Sequence, residues 1–503
     1  MYLGLDLGTS ELKALLLDEQ HRIVATAGEA LTLQRPQPLW SEQHPADWWA
    51  ACDRALQRLA AAQPTAMARV RALGLSGQMH GAVLVDAADA VLRPAILWND
   101  GRSGDECAEL ERRVPRLHQI AGNLAMPGFT APKLLWVAKH EPEVFARVDG
   151  VLLPKDWLRL QLCGERIAEM SDAAGTLWLD VAARRWSPEL LAACSLNEAQ
   201  MPRLVEGSEA AGRLKPELAK RWGLPAEVLI AGGGGDNAAS AVGMGVVRPG
   251  EGFVSLGTSG VIFLAGAAFQ PNPAEAVHAF CHALPGRWHQ MSVMLSAANS
   301  LRWVTQLLGQ PDEAALLAQV ATLSDDQRAR APLFLPYLSG ERTPHNNPHA
   351  QGVFFGLTGD HGAAVLGYAV IEGVSLALLD GWLALRQAAG NQPLEAVAAL
   401  SLVGGGARSA LWAQLLADVL QVPLHTHTGS EAGGALGAAR LAWLADLGEQ
   451  GVAEVAAIAR VCLAPPIAQR FEPSSTALAM LEVRHARFRA LYKAVDGQFE
   501  AAA

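Results

Sequence analysis

One short chemical phrase occurs twice in this chain. Asp6-Leu7-Gly8-Thr9-Ser10 near the start is matched by Ser255-Leu256-Gly257-Thr258-Ser259 about half the chain later. In each copy an apolar run leads into a glycine and two hydroxyls and then into a second apolar run, the pattern of a strand, a tight turn and a strand. Glycine lets a backbone approach an anion closely with its amides free, and the hydroxyls add donors. Two such turns suit a grip on one polyphosphate from opposite sides. Only the first copy carries a carboxylate, Asp6, and a cation, Lys13, follows it on the outgoing strand. These are the parts of a metal-phosphate cradle, because Mg2+ takes few carboxylates and several waters, and phosphoryl transfer depends mainly on positioning and charge neutralisation. Ser255 stands where Asp6 does, so metal duty falls on the first copy. A single Gly-Thr-Ser turn is commonplace; the repetition carries the reading.

Three further segments hold groups that could do chemistry. Gly232-Gly233-Gly234-Gly235-Asp236-Asn237 closes an apolar strand and opens a helix. Ligands of α/β sheets gather at the carboxyl ends of strands, so Asp236 suits a general base for a substrate hydroxyl; an acid there suits helix capping equally. Val403-Gly404-Gly405-Gly406-Ala407-Arg408 has the same strand, glycine turn and helix order, and can pass a phosphate or adenosine near a helix start. It has neither the Walker A form nor the dinucleotide fingerprint. Gly77-Gln78-Met79-His80-Gly81 and Trp98-Asn99-Asp100-Gly101-Arg102 each follow a short apolar run and mix polar groups with Met or Trp, as a sugar pocket does. His278-Ala279-Phe280-Cys281-His282 has no second Cys/His pair at zinc spacing, which weighs against a metal site.

Positioning these groups requires regular elements. A β-meander is predicted over Leu3 to Ala27, with strands ending at Leu7 and Leu17 and a third at Ile23 to Thr26. Asp47 to Ala61 carries Trp48, Cys52, Leu56 and Leu59 on one helical stripe, and Val70 to Leu75 reads as a buried strand. Strands are also expected at Val228 to Ala231 and Leu400 to Val403, and helices from Ser409 to Leu420, Gly433 to Leu447 and Thr476 to Val495. Periodicity is weak between Ala464 and Thr476, and residues 500–503 are expected to fray.

Composition bounds the function. At 503 residues the chain calls for two domains, and with half its residues apolar it can bury ample core. A net charge of −10 argues against nucleic acid or an acidic membrane as the main partner. Six scattered cysteines read as reduced thiols, and no leader or membrane-spanning apolar run is recognised, so a cytoplasmic protein is expected.

Taken in order, and with Trp40-Ser41-Glu42-Gln43 and Ser339-Gly340-Glu341-Arg342-Thr343-Pro344, these motifs resemble the FGGY carbohydrate kinases from Leu3 to about Arg440. The resemblance implies an α/β protein of two ribonuclease-H-like, actin-type domains flanking a deep cleft. Residues 1–245 would be the sugar and metal side, and residues 246–503 the nucleotide side. It implies ATP-dependent phosphorylation of D-xylulose at its terminal hydroxyl, with Asp236 as base and Asp6 organising Mg2+. Met79, His80, Asp236 and Asn237 would contact the sugar. Thr9, Ser10, Lys13, Thr258 and Ser259 would line the phosphates, and Gly405 and Gly406 would lie by the adenosine. The partners implied are a small sugar and ATP, with a homodimer as a family-level expectation. A sibling kinase for another ketose, polyol or sugar acid stays open, as does an actin- or chaperone-type ATPase switch. Two departures stand out. Four glycines precede Asp236 where the family has two or three, which predicts a bulge or shifted turn. Val365 stands where the family signature has a polar residue, at an expected helix start.

Overall fold

The computed structural model describes residues 1–387, 396–428, 433–476 and 478–499; the expected fraying of residues 500–503 lies outside them. Two sheet-rich α/β halves are present. The first sheet comprises β1 (Tyr2–Leu7), β2 (Glu11–Leu17), β3 (Ile23–Ala30), β4 (Ala72–Gly77), β5 (Ala210–Arg213), β6 (Leu229–Ala231) and the short β7 (Gly234–Gly235). Its order is β5-β6-β4-β1-β2-β3, with β7 also on β4. The second sheet comprises β8 (Gly252–Leu256), β9 (Gly260–Gly266), β10 (His278–Cys281), β11 (Trp288–Met294), β12 (Leu400–Val403), β13 (Leu424–His427) and β14 (Ile467–Phe471), in the order β10-β11-β9-β8-β12-β13-β14.

The two sheets share a plan. β1 pairs antiparallel with β2 and parallel with β4, as β8 pairs antiparallel with β9 and parallel with β12. Each has an antiparallel edge strand beyond its parallel part, β5 in one and β14 in the other. The repeated glycine-hydroxyl turns therefore occupy equivalent β1–β2 and β8–β9 connections. The central strands read as continuous apolar runs because both faces are covered, and β1 is buried at every position but Asp6.

Helices cover those faces. α1 (Pro45–Ala62) buries Trp48, Cys52, Leu56 and Leu59, the expected stripe. The short α2 (Met170–Ala174) lies beside the site, and α3 (Asp236–Met244) starts at the glycine run. The long α4 (Ala363–Arg386) crosses the second core, and α5 (Ala410–Leu420) is capped by the Ser409 hydroxyl on Trp412 N–H. α6 (Gly433–Glu449) comes late in the chain yet lies across β1, β4 and α3 of the first half. Its small residues make that possible. A Cβ on Gly4 or Gly74 would run into the backbone of Ala435 or Ala438, and one on Gly437 would meet Ala239. α7 (Leu478–Val495) closes the second half.

Four details differ from, or refine, the sequence reading. The four-glycine run is a bulge: Ile230 pairs with Leu73 and Gly234 with Ser76, so the glycine strand takes one more residue than β4 over the same span. Gly233, at φ +79°, is the residue that turns there. β14 was not expected. Its first four residues are exposed, so it carries no apolar alternation to reveal a strand. α4 is long and apolar enough to cross a membrane by length and composition, although no membrane-spanning run is expected from the sequence. Here it is a core helix, and its buried Glu372 takes Nε of Arg484 at 2.6 Å. Val365 is the third residue of α4, where a polar side chain would reach back to the helix start, and Gly362 gives no side-chain cap.

Candidate active site

Two acids from the first half define the site. Asp6 is on β1, opposite Lys13 of β2, and Ser76 Oγ of β4 donates to its Oδ1 at 2.8 Å. Asp236 follows the bulge at the first position of α3. The helix N-cap is Gly235, which offers no side-chain cap, and Asp236 stands one residue inside the helix. Its Oδ1 accepts from Asn237 N at 2.7 Å and Asn237 Nδ2 at 2.9 Å. Burial, and then the charge of Asp6, push the Asp236 carboxyl up to about 6. Asp6 is also raised by burial, against opposing pulls from Ser76 and Lys13. A carboxylate of this kind holds its proton weakly near neutrality and regains it readily, as a base must. The other oxygen of each acid has no hydrogen-bond partner among the described residues. Asp6, a carboxylate with one oxygen tied to Ser76, has the donor chemistry to hold Mg2+, directly or through water. Among the described residues no group of three or more His, Cys, Asp and Glu could form a dedicated metal cage.

Met79 and His80 come off the end of β4 beside these acids. The Met79 side chain packs on Gly235, where an added Cβ would stand 3.0 Å from its Cγ and Sδ. His80 has φ +68°, an uncommon conformation held from both ends. Its carbonyl accepts from Lys133 Nζ at 2.8 Å and Thr130 Oγ1 at 3.1 Å, and its ring Nδ1–H donates to Gly175 O at 2.6 Å. Burial pushes its imidazole down to about 3, so the ring is neutral with a lone pair on Nε2. Phe129 meets the ring edge-on at 4.6 Å between centroids. Asp236, Asn237, Met79 and His80 are thus brought together.

A buried ionic cluster that sequence reasoning missed supports this wall. Lys155, Asp156, Arg159, Glu169 and Asp172 are all fully buried. Lys155 Nζ lies 2.7 Å from Asp156, 3.0 Å from Asp172 and 3.3 Å from Glu169. Arg159 joins Asp156 to the carbonyl of Gly232 in the bulge. Glu169 caps α2, and Ser171 Oγ of α2 accepts from Gly235 N at 3.1 Å. One short helix therefore holds the backbone before Asp236 at its start and the His80 ring at its end. The residues are scattered over 155–172 without a motif, so only the fold assembles them.

The two glycine-hydroxyl turns differ in their surroundings. Thr9 Oγ1 donates to Gln78 Oε1 at 3.1 Å and accepts from Trp98 Nε1 at 2.9 Å, while Gln43 Nε2 holds the Thr9 carbonyl at 2.8 Å. The Thr9 proton is therefore in use within the loop, and the Ser10 hydroxyl has no hydrogen-bond partner among the described residues. Thr258 and Ser259 have no side-chain hydrogen bonds among the described residues, and the turn is fixed through backbone bonds from Ala297 and Ala298. Lys13 makes no ion pair within 4 Å among the described residues. Asp100 and Arg102, expected at the sugar pocket, instead form a buried bidentate pair that reaches Ser41 and Glu42.

Two cavities meet at the third glycine turn. One, of about 580 Å³, lies between the halves and is lined by Asn237, Ser240, Ser255, Gly404 and Thr426. The other, of about 790 Å³, lies within the second half against Gly257, Thr258, Asn299, Gly405, Gly406 and Ser409. Thr258, Gly405 and Gly406 thus share one wall, with room for a nucleoside beside a phosphate turn.

Comparison with known proteins agrees with this geometry. Residues 1–243 match the N-terminal domain model, and residues 252–445 the C-terminal domain model, of the FGGY family of carbohydrate kinases. The chain is 53% identical to a xylulose kinase of Escherichia coli (strain K12) across 98% of its own length and 99% of that protein's. It is 55% identical to a xylulose kinase of Klebsiella pneumoniae across 88% and 90%. The crystal structure of a xyloylose kinase from Brucella ovis superposes with a TM-score of 0.93 at 51% identity, covering 99% of both chains. With both halves matched in order, the chain belongs to the FGGY family of carbohydrate kinases.

Proposed function

We propose that this kinase transfers the γ-phosphoryl group of ATP to the terminal hydroxyl of D-xylulose, giving D-xylulose 5-phosphate and ADP. The observation that carries the chemistry is Asp236, a carboxylate at the head of α3 next to the Met79 contact at Gly235, raised to about 6 by burial and then by the charge of Asp6. The substrate reading is supported by the names of the relatives at 53% and 55% identity. As the hydroxyl oxygen bonds to the γ-phosphorus, its proton passes to Asp236 and the bond to the β–γ bridging oxygen breaks, releasing ADP. Asn237 steadies the Asp236 carboxylate through two hydrogen bonds, and Met79 and His80 orient the sugar. Ser10, Thr258 and Ser259 donate to phosphate oxygens, with Thr9 fixing its turn and Lys13 adding positive charge. Gly405 and Gly406 leave room for the adenosine. Asp6 would hold Mg2+, directly or through water; the ion, when bound, neutralises charge shared by the β- and γ-phosphates.

Residues 1–245 act in this reading as the sugar and metal side and residues 246–503 as the nucleotide side, with α6 spatially part of the former. Closure of the halves excludes water, the competing acceptor. Six free cysteines support a cytoplasmic setting, and a homodimer is the assembly proposed from the family. A coupled ADP-release assay over ketoses, polyols and sugar acids tests the function. D-xylulose should give the highest kcat/KM; a strong preference for another sugar would refute the substrate assignment, and sugar-independent ADP release at the same rate would refute the kinase mechanism.

A further inference from the structure

A guanidinium from the second half reaches the wall that holds His80. Arg342 lies in the segment Ser339 to Pro344, and its Nη1 stands 3.4 Å from Nε2 of His278. The roles along this contact are fixed by what lies behind it. Asn123 Nδ2 donates to the carbonyls of Ala121 and Ala279, so its Oδ1 is the acceptor. That oxygen takes the Ala279 amide and the Nδ1–H of His278 at 3.1 Å. Burial, and then the Arg342 charge, keep the His278 ring neutral. Its Nε2 therefore offers a lone pair, and Arg342 donates to it.

That bond uses one of the five guanidinium N–H groups. Arg342 has no ion pair within 4 Å among the described residues, although its side chain is half-buried and Glu341 is adjacent in the chain. Oε1 of Glu341 is taken by the amides of Leu295 and Arg342, at 3.0 and 2.7 Å. His278 packs against Phe129 and Phe280, centroids 5.6 Å away in each case, and Phe129 also packs against His80. Among the described residues the wall thus offers a lone pair at His80 Nε2 and, at Arg342, guanidinium N–H groups that no acceptor takes beyond His278.

Those two groups ask different things of a ligand. His80 needs a hydroxyl that donates. Arg342 can only donate, and a half-buried cation gains most from an acceptor with no proton of its own. A keto oxygen is such an acceptor, whereas the hydroxyl of a polyol at the same carbon brings a proton that must be placed elsewhere. We propose that Arg342 is a specificity-determining residue that donates to the carbonyl oxygen of an open-chain 2-ketose and so separates ketoses from the corresponding polyols. This rests on the function proposed above and extends it to the substrate's second carbon.

The test uses the full-length enzyme with R342Q and R342K. KM and kcat are measured for D-xylulose, and inhibition constants for xylitol and D-arabitol, its products of reduction at C2, as competitors of D-xylulose. In R342Q the KM for D-xylulose should rise about 10–100-fold, while the polyol inhibition constants change by less than about threefold. R342K, which keeps the charge but not the fork, should fall between. The KM for ATP should hold in both, and thermal melts identify any variant that is misfolded, in which case the other decides. An equal loss for ketose and polyols, or a change in ATP KM alone, overturns the role of Arg342 and leaves the kinase assignment standing. A wild-type enzyme that prefers a polyol or a sugar acid over D-xylulose overturns the substrate assignment and this inference together.

Discussion

The two glycine-hydroxyl turns share a backbone plan and differ in what surrounds them. The first is tied by Gln43, Gln78 and Trp98, and Asp6 enters it from β1, held by Ser76 of the neighbouring β4. The second has no acid, and its two hydroxyls have no side-chain partners among the described residues. One turn is a fixed wall beside charged chemistry; the other is an open set of donors. Similar folds can thus be divided between holding a reactive centre and receiving a polyanion, with the difference made by a few side chains outside the repeat.

The strongest way to break this division is to remove the base. Asp236→Asn should lower sugar-dependent kcat by about 10²–10⁴-fold with an unchanged melting temperature, measured by coupled ADP release and circular dichroism. Near-normal turnover would place the proton acceptor elsewhere. The open turn comes next. Thr258→Val with Ser259→Ala should raise the KM for ATP by about 10–100-fold and leave the KM for the sugar alone, because the charged phosphate would lose two hydroxyl donors. A change confined to the sugar would reverse the roles of the halves.

Proton inventory sharpens the comparison further. In the proposed mechanism Asp236 can act as a base only when ionised, and its folded value is raised to about 6. kcat/KM should therefore be full well above pH 6 and fall about tenfold per pH unit below it. Because the charge of Asp6 is one cause of the rise, Asp6→Asn should move that acid limb to lower pH, whatever activity remains. An unmoved limb would show that the two acids do not sense each other. The smallest effect is expected at the tied turn. Thr9→Val removes two hydrogen bonds and should cost about 1–2 kcal/mol in stability by chemical denaturation.

Much of this was legible in the chain. Apolar runs around Gly8 and Gly257 marked the paired turns, the stripe of Trp48, Cys52, Leu56 and Leu59 marked α1, and the overlong glycine run marked the bulge. What stayed hidden has physical reasons. β14 is an exposed edge strand, so it shows no burial pattern. Lys155, Asp156, Arg159, Glu169 and Asp172 look like an ordinary charged surface until the fold buries them together. Arg342 stood in a motif that was recognised, but its site is completed by Asn123 and His278, separated by 155 positions in the chain. Thr9 is expected among the residues lining the phosphates, and the partner of its proton, Gln78, is brought to it only by the pairing of β1 with β4.

The late helix α6 sets a condition on synthesis. One face of the first sheet, with Gly4 and Gly74 bare against its backbone, has no cover until residues 433–449 leave the ribosome. Roughly 190 residues separate the end of α3 from α6, a wait of about 10–40 s at ordinary translation speeds. During that interval the first half presents apolar strands to the cell with its own cover unmade. A gene cut between the two halves would accordingly yield one fragment with an open core and another carrying a helix that has lost its seat.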